Sequence, residues 1–161
     1  MPIIKTIIAS LVTLTVTSSI TFSSELLRTP ATIVGDNYGF TEGPVWVKHK
    51  KIWLFTDIPR NKIYSLDSNG NVNVWLEDAG YANGLNIDKH NNIWIAHHCR
   101  KVSKTTPKGK NYIVASTYNG KKLNSPNDIA IRKDGSTWFT DPMYGITLKG
   151  FGCEVAKEEQ P

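Results

Sequence analysis

The chain has 161 residues, 40% of them apolar and 20% charged, with 19 basic against 14 acidic side chains. That length holds one ordinary domain. The formal charge of +5 is spread over turn and outer-strand lysines such as Lys48, Lys89, Lys108, Lys121 and Lys133, with no basic stripe. A solvated exterior follows, and no nucleic-acid partner is assigned.

Residues 1–23 read as an export signal. Lys5 supplies a positive start, residues 7–20 an apolar stretch diluted by Thr and Ser, and residues 21–24 the small side chains of a cleavage site. The apolar stretch is too short and too rich in hydroxyls for a good membrane span. Export to the periplasm or the exterior is expected, with no membrane association after cleavage. A first β-strand of the mature domain is the alternative reading. The mature domain is taken as residues 24–161.

Downstream, one hairpin pattern is written three times: GPVWVKHKKIWLFTD from Gly43, NGLNIDKHNNIWIAHH from Asn83 and NDIAIRKDGSTWFTD from Asn127. Each copy has two alternating apolar residues (Val45/Val47, Leu85/Ile87, Ile129/Ile131), a polar turn, and a strand carrying Trp53, Trp94 or Trp138. The first apolar pairs recur at steps of about forty residues, the length of a four-stranded propeller blade. Residues 62–67 and 72–77, split by Ser68-Asn69-Gly70, complete a first blade. Residues 101–106 and 112–117, split by Pro107-Lys108-Gly109, complete a second. The third copy reaches Asp141 and passes into a charged tail with no predicted strand. The fold class is all-β, a propeller of which the chain holds about two and a half blades.

Propellers close with about four to eight blades, because an open ring leaves strand edges unpaired. The chain is therefore expected to be the N-terminal part of a longer propeller. A complete small β-domain of another shape, or two copies sharing one ring, are the alternatives. Trp46, Trp53, Trp94 and Trp138 are expected to pack blade against blade. Asp57 and Asp141 each follow an aromatic-Thr pair and are expected to bond backbone amides at a strand end.

Chemistry in such a fold sits at the channel mouth, beside the starts of the innermost strands. Glu42, Asn83 and Asn127-Asp128 occupy those positions. One carboxylate and several amide oxygens suit a hard divalent cation, calcium first, with magnesium or manganese as alternatives. The same residue types before a strand are also ordinary turn formers. Cys99 and Cys153 show no CxxC or metal-thiolate spacing and are read as structural or incidental, their pairing left open. There is no GxSxG turn and no HExxH helix, so covalent or zinc-protease chemistry has no support.

The segments FTEGPVW (40–46), LFTDIPRNKIYSLD (54–67), NGLNID (83–88) and YNGKKLNSPNDIAIRKDGSTWFTDPMYGI (118–146) together resemble the gluconolactonase and regucalcin family of six-bladed propellers. The resemblance implies a hydrolase of sugar lactones with one divalent cation at the channel floor, calcium first and magnesium, manganese or zinc as alternatives. Glu42 looks like the family's carboxylate metal ligand and Asn127 like the amide that faces metal and substrate. Asp128 resembles a position that contacts the substrate or supports the residues that do. Ser125 stands where some relatives have a substrate-contacting Arg. His98 matches the His of a bacterial Glu-His-Gly stretch and is a candidate pocket residue. Asn83-Gly84-Leu85 resembles a later motif in wording but belongs to blade two by repeat position, so no ligand role is carried to it. The family's remaining metal-binding Asn, and the Asp that acts as general base, come from later blades, so the catalytic residue is not assigned and the fragment alone is expected to be inactive. A non-catalytic propeller that binds a ligand or protein at its channel mouth is the competing class.

Overall fold

The computed structural model describes residues 32–160. The export signal read in residues 1–23 lies outside them. The chain divides into two units, Met1–Asp36 and Asn37–Pro161. The first is described only over 32–36, without helix or strand.

In the second unit, alternating apolar residues and Gly or Asn turns produce two four-stranded antiparallel sheets in simple sequential order. Blade one is β1 (Thr41–Val47), β2 (Ile52–Asp57), β3 (Lys62–Asp67) and β4 (Val72–Leu76). Blade two is β5 (Ala82–Ile87), β6 (Ile93–His97), β7 (Lys101–Thr105) and β8 (Asn111–Ala115). A two-stranded ribbon, β9 (Thr117–Tyr118) with β10 (Lys121–Lys122), follows. Then β11 (Ile129–Ile131) pairs with β12 (Thr137–Phe139) as the opening hairpin of a third blade. This is the expected partial propeller. Two details differ from the sequence reading. The last strand of blade two ends at Ala115 because the chain turns into the ribbon, and a short helix α1 (Tyr144–Thr147) follows the third hairpin.

The blades are joined by aliphatic side chains. Val47, Leu54 and Ile63 of blade one form one buried cluster with Leu85, Ile93 and Ile95 of blade two. Ala96 and Val102 meet Ile129 in a second cluster, with Trp94 and Phe139 packed beside it. The expected tryptophan packing is corrected in part. Trp46 and Trp53 are cross-strand partners 5.5 Å apart and stay 40% and 45% exposed, and Trp138 is 63% exposed. Alternation with Val47 and Leu54 puts Trp46 and Trp53 on the other face from blade two. Of the four expected tryptophans Trp94 alone packs against a blade-to-blade cluster, while Trp75, which the sequence reading did not single out, packs against the other.

The tail after α1 has no strand. It is fixed instead by Cys99–Cys153, a disulfide with a Cα–Cα distance of 5.0 Å. Arg100, 6% exposed, pairs with Glu154 at 3.0 Å and Glu159 at 2.8 Å and donates to the Leu123 carbonyl. Fully buried Asn124 accepts from the backbone of Glu159 and Gln160.

Candidate functional site

The starts of β1, β5 and β11 converge, and two bulges set how closely. The β1–β2 register shifts between Glu42 and Val45, and the β5–β6 register shifts between Ala82 and Leu85. A bulge re-aims side chains at a strand end. Gly43 sits in the first with φ +54°, and a Cβ there would lie 2.9 Å from the Leu85 amide nitrogen. In the second, the Gly84 amide donates to the Asn127 carbonyl at 2.7 Å, and a Cβ on Gly84 would lie 2.7 Å from both that oxygen and Asp128 Cα. Neither position has room for a side chain.

Between the three strand starts lies a polar cleft of about 310 Å³ lined by Glu42, Asn83, Asn127 and Asp128 around the two glycines. Glu42 is exposed, and its carboxylate makes no hydrogen bond or ion pair with a described residue. The Asn127 side chain is likewise uncommitted, while its backbone is held by Thr140 and Gly84. Asp128 is exposed and gives one oxygen to the Ile129 amide at 2.8 Å. Asn83, 4% exposed, has its Nδ2 2.9 Å from His98 Nε2. His98 does not line the cleft. It stands behind Asn83 with its Nδ1 2.7 Å from the Phe151 carbonyl oxygen. Burial pushes its pKa below the ordinary value, against smaller opposing effects of the Phe151 carbonyl and the Glu42 charge.

The neighbouring polar residues are spent on structure. His97 is buried between the Ala79 carbonyl and Ser103 Oγ, each 2.7 Å away, and desolvation brings its pKa down to about 4. Ser125, fully buried, donates to the Pro142 carbonyl and accepts from the Gly145 amide. The expected strand-end roles of Asp57 and Asp141 are present. Asp57 accepts from the Gly39 and Phe40 amides and pairs with Arg60, and Asp141 accepts from the Asn124 amide. Asp141 Oδ1 is buried with no hydrogen-bond partner among the described residues, and desolvation raises that carboxyl's pKa.

Among the described residues no three or more His, Cys, Asp or Glu side chains cluster as metal ligands do. Any cation here would rest on one carboxylate and on amide oxygens, a donor set of hard character. Repeat position alone brought Glu42, Asn83, Asn127 and Asp128 together at the strand starts. The family resemblance carried no ligand role to Asn83. Its link to His98 had no signal in the sequence.

Comparison with known proteins gives consistent results. Residues 40–150 match the family model described as the SMP-30/gluconolactonase/LRE-like region. A gluconolactonase of Zymomonas mobilis is 33% identical, with 75% of this chain and 38% of that protein covered. An X-ray structure assigned as a gluconolactonase superposes with a TM-score of 0.78 at 31% identity, over 84% of this chain and 47% of the other. A gluconolactonase of Xanthomonas campestris gives a TM-score of 0.74 at 29% identity, over 79% and 43%. The chain thus spans less than half the length of each of these relatives.

Proposed function

Because the chain belongs to the SMP-30/gluconolactonase/LRE-like family, we propose that it forms one side of the active site of a divalent-cation-dependent hydrolase of sugar lactones. The observation that carries this reading is the convergence of Glu42, Asn83 and Asn127 on one polar cleft, with the Glu42 carboxylate and the Asn127 amide uncommitted among the described residues. Glycine at 43 and 84 lets the three strand starts approach this closely, since a Cβ at either position would collide with the backbone of the neighbouring strand start. Its volume of about 310 Å³ is at the small end of ligand sites.

The donor set fits calcium best, and magnesium, manganese or zinc less well. Such a cation would supply Lewis acidity at a lactone carbonyl and lower the pKa of water. Glu42 provides the negative charge that fixes affinity, and Asn127 provides a neutral oxygen beside the substrate. Asp128 keeps one carboxylate oxygen for a substrate hydroxyl while the other caps the Ile129 amide. No base is assigned within the chain. The side chains of Glu42, Asn83 and Asn127 supply fewer oxygens than the roughly six to eight that calcium takes, so turnover by the chain alone is expected to be absent. We also propose export to the periplasm or beyond, a reading supported by the Cys99–Cys153 disulfide, since such bonds persist in oxidising compartments.

The test is hydrolysis of a sugar lactone with and without chelator. It is run on the chain, on a longer protein that contains it, and on Asn127→Ala of that protein. Chelator-sensitive turnover by the longer protein, lost in the variant, is expected. Ligand binding without turnover in the longer protein would favour a non-catalytic propeller.

A further inference from the structure

One buried imidazole beside the cleft has its two nitrogens facing groups of different chemistry. His98 Nδ1 lies 2.7 Å from the Phe151 carbonyl oxygen. A carbonyl only accepts, so Nδ1 carries the ring proton. His98 is 2% exposed, and its nitrogens meet an amide and a backbone carbonyl, with no carboxylate of a described residue bonded to either. A ring buried without a counter-charge is neutral, so Nε2 is a lone pair. The Asn83 side-chain atom 2.9 Å from it must then be the amide nitrogen, which donates. The amide orientation is thereby set by a backbone carbonyl. The Asn83 side chain has no other hydrogen bond among the described residues, and Asn83 lines the cleft with Glu42 and Asn127.

We propose that His98 is a positioning residue: by holding the NH2 of Asn83 it presents Asn83 Oδ1 as a third hard oxygen beside Glu42 and Asn127, while the Phe151 carbonyl sets the tautomer. The cation consequence rests on the function proposed above. Without His98 the amide is free to turn, and its NH2 end in the cleft offers a cation no lone pair. The ring itself is walled in. A Cβ at Gly145 would lie 2.5 Å from His98 Cγ, and Phe151 is held in place by the hydrogen bond its N–H donates to the Leu148 carbonyl and by Cys153, two residues on, in a disulfide with Cys99 next to His98. A loop that returns from 53 residues downstream in sequence thus controls which end of one amide faces the site.

The first measurement needs no variant. Long-range 1H–15N spectra of the chain should show His98 as the neutral Nδ1–H tautomer, and an Nε2–H ring would overturn the positioning. Titration with calcium chloride then tests the consequence. His98→Leu should weaken Ca2+ about 10- to 100-fold, the usual cost of losing a group that orients a metal ligand. His98→Gln, able to accept from Asn83 and donate to the Phe151 carbonyl, should recover most of that loss. In an Asn83→Ala background, His98→Leu should cost nothing further. An equal loss there would show that His98 acts by another route and overturn the proposal. Absence of Ca2+ binding in the unsubstituted protein would overturn the cation reading instead, with the tautomer spectrum still deciding whether His98 orients Asn83.

Discussion

The two ends of the blade hairpins use the same side chains for opposite purposes. At the turn end, Asp67 accepts from the amides of Asn69 and Asn71 and from Asn71 Nδ2. Asp134 accepts from the Ser136 amide and hydroxyl. The side-chain hydrogen bonds of Asn71 and Ser136, more than any other cause, hold these carboxyls below the usual range. Partial burial would raise Asp88, but bonds from Asn92 and Trp94 outweigh it. At the cleft end, the Glu42 carboxylate and Asn127 amide accept from no described residue. A carboxylate that closes a turn has its lone pairs occupied. One that the fold leaves unpaired beside other oxygens is available to a ligand.

The comparison can be broken most severely at the backbone. Gly84→Ala puts a methyl against the Asn127 carbonyl and should cost roughly 3 kcal/mol, as overpacking does when the obstacle is backbone. The shift is read from urea unfolding midpoints. Next in size, Glu42→Gln should weaken Ca2+ by about 100-fold through loss of the one carboxylate that faces the cleft uncommitted. Lactone hydrolysis by the longer protein should fall with it. Calorimetric titration and turnover measured together check this, and unchanged values for both would make Glu42 structural.

Acid gives a third handle. His97 has its folded pKa lowered to about 4 from 6.5. Below pH 6.5 the unfolded chain takes up a proton that the folded ring resists, so stability is lost as pH falls from 6.5 towards 4. Between pH 7 and 5 the loss from this group is about 2 kcal/mol, and lowering of His98 acts in the same direction. Urea unfolding at the two pH values checks it, with His97→Gln expected to flatten the profile. The smallest effect sharpens the contrast between the ends: Asp67→Asn should leave Ca2+ affinity unchanged in the same titration.

The hairpins were legible because a two-residue alternation and Gly or Asn turns are local signals, and every blade strand falls close to its expected place. Glu42 and Asn127 were legible because repeat position fixes the start of an inner strand. The spacing could not say which Asp and Asn residues close turns and which face a cleft, since both stand beside a strand end. Asn83 and His98 depend on the Phe151 carbonyl, and Cys99 on Cys153, both brought back by a tail with no periodicity of its own. Helix α1, four residues long, is shorter than the window in which a helical period can be read. The tryptophans misled because alternation assigns a face without saying which face meets a neighbour.

Anomalous scattering from crystals soaked in calcium or manganese tests the central claim most directly. The expected result is a peak in the cleft, within about 2.3–2.6 Å of side-chain oxygens of Glu42 and Asn127, with Asn83 Oδ1 turned towards it. A peak at the Asp67, Asp88 or Asp134 turns, with none in the cleft, would contradict the account.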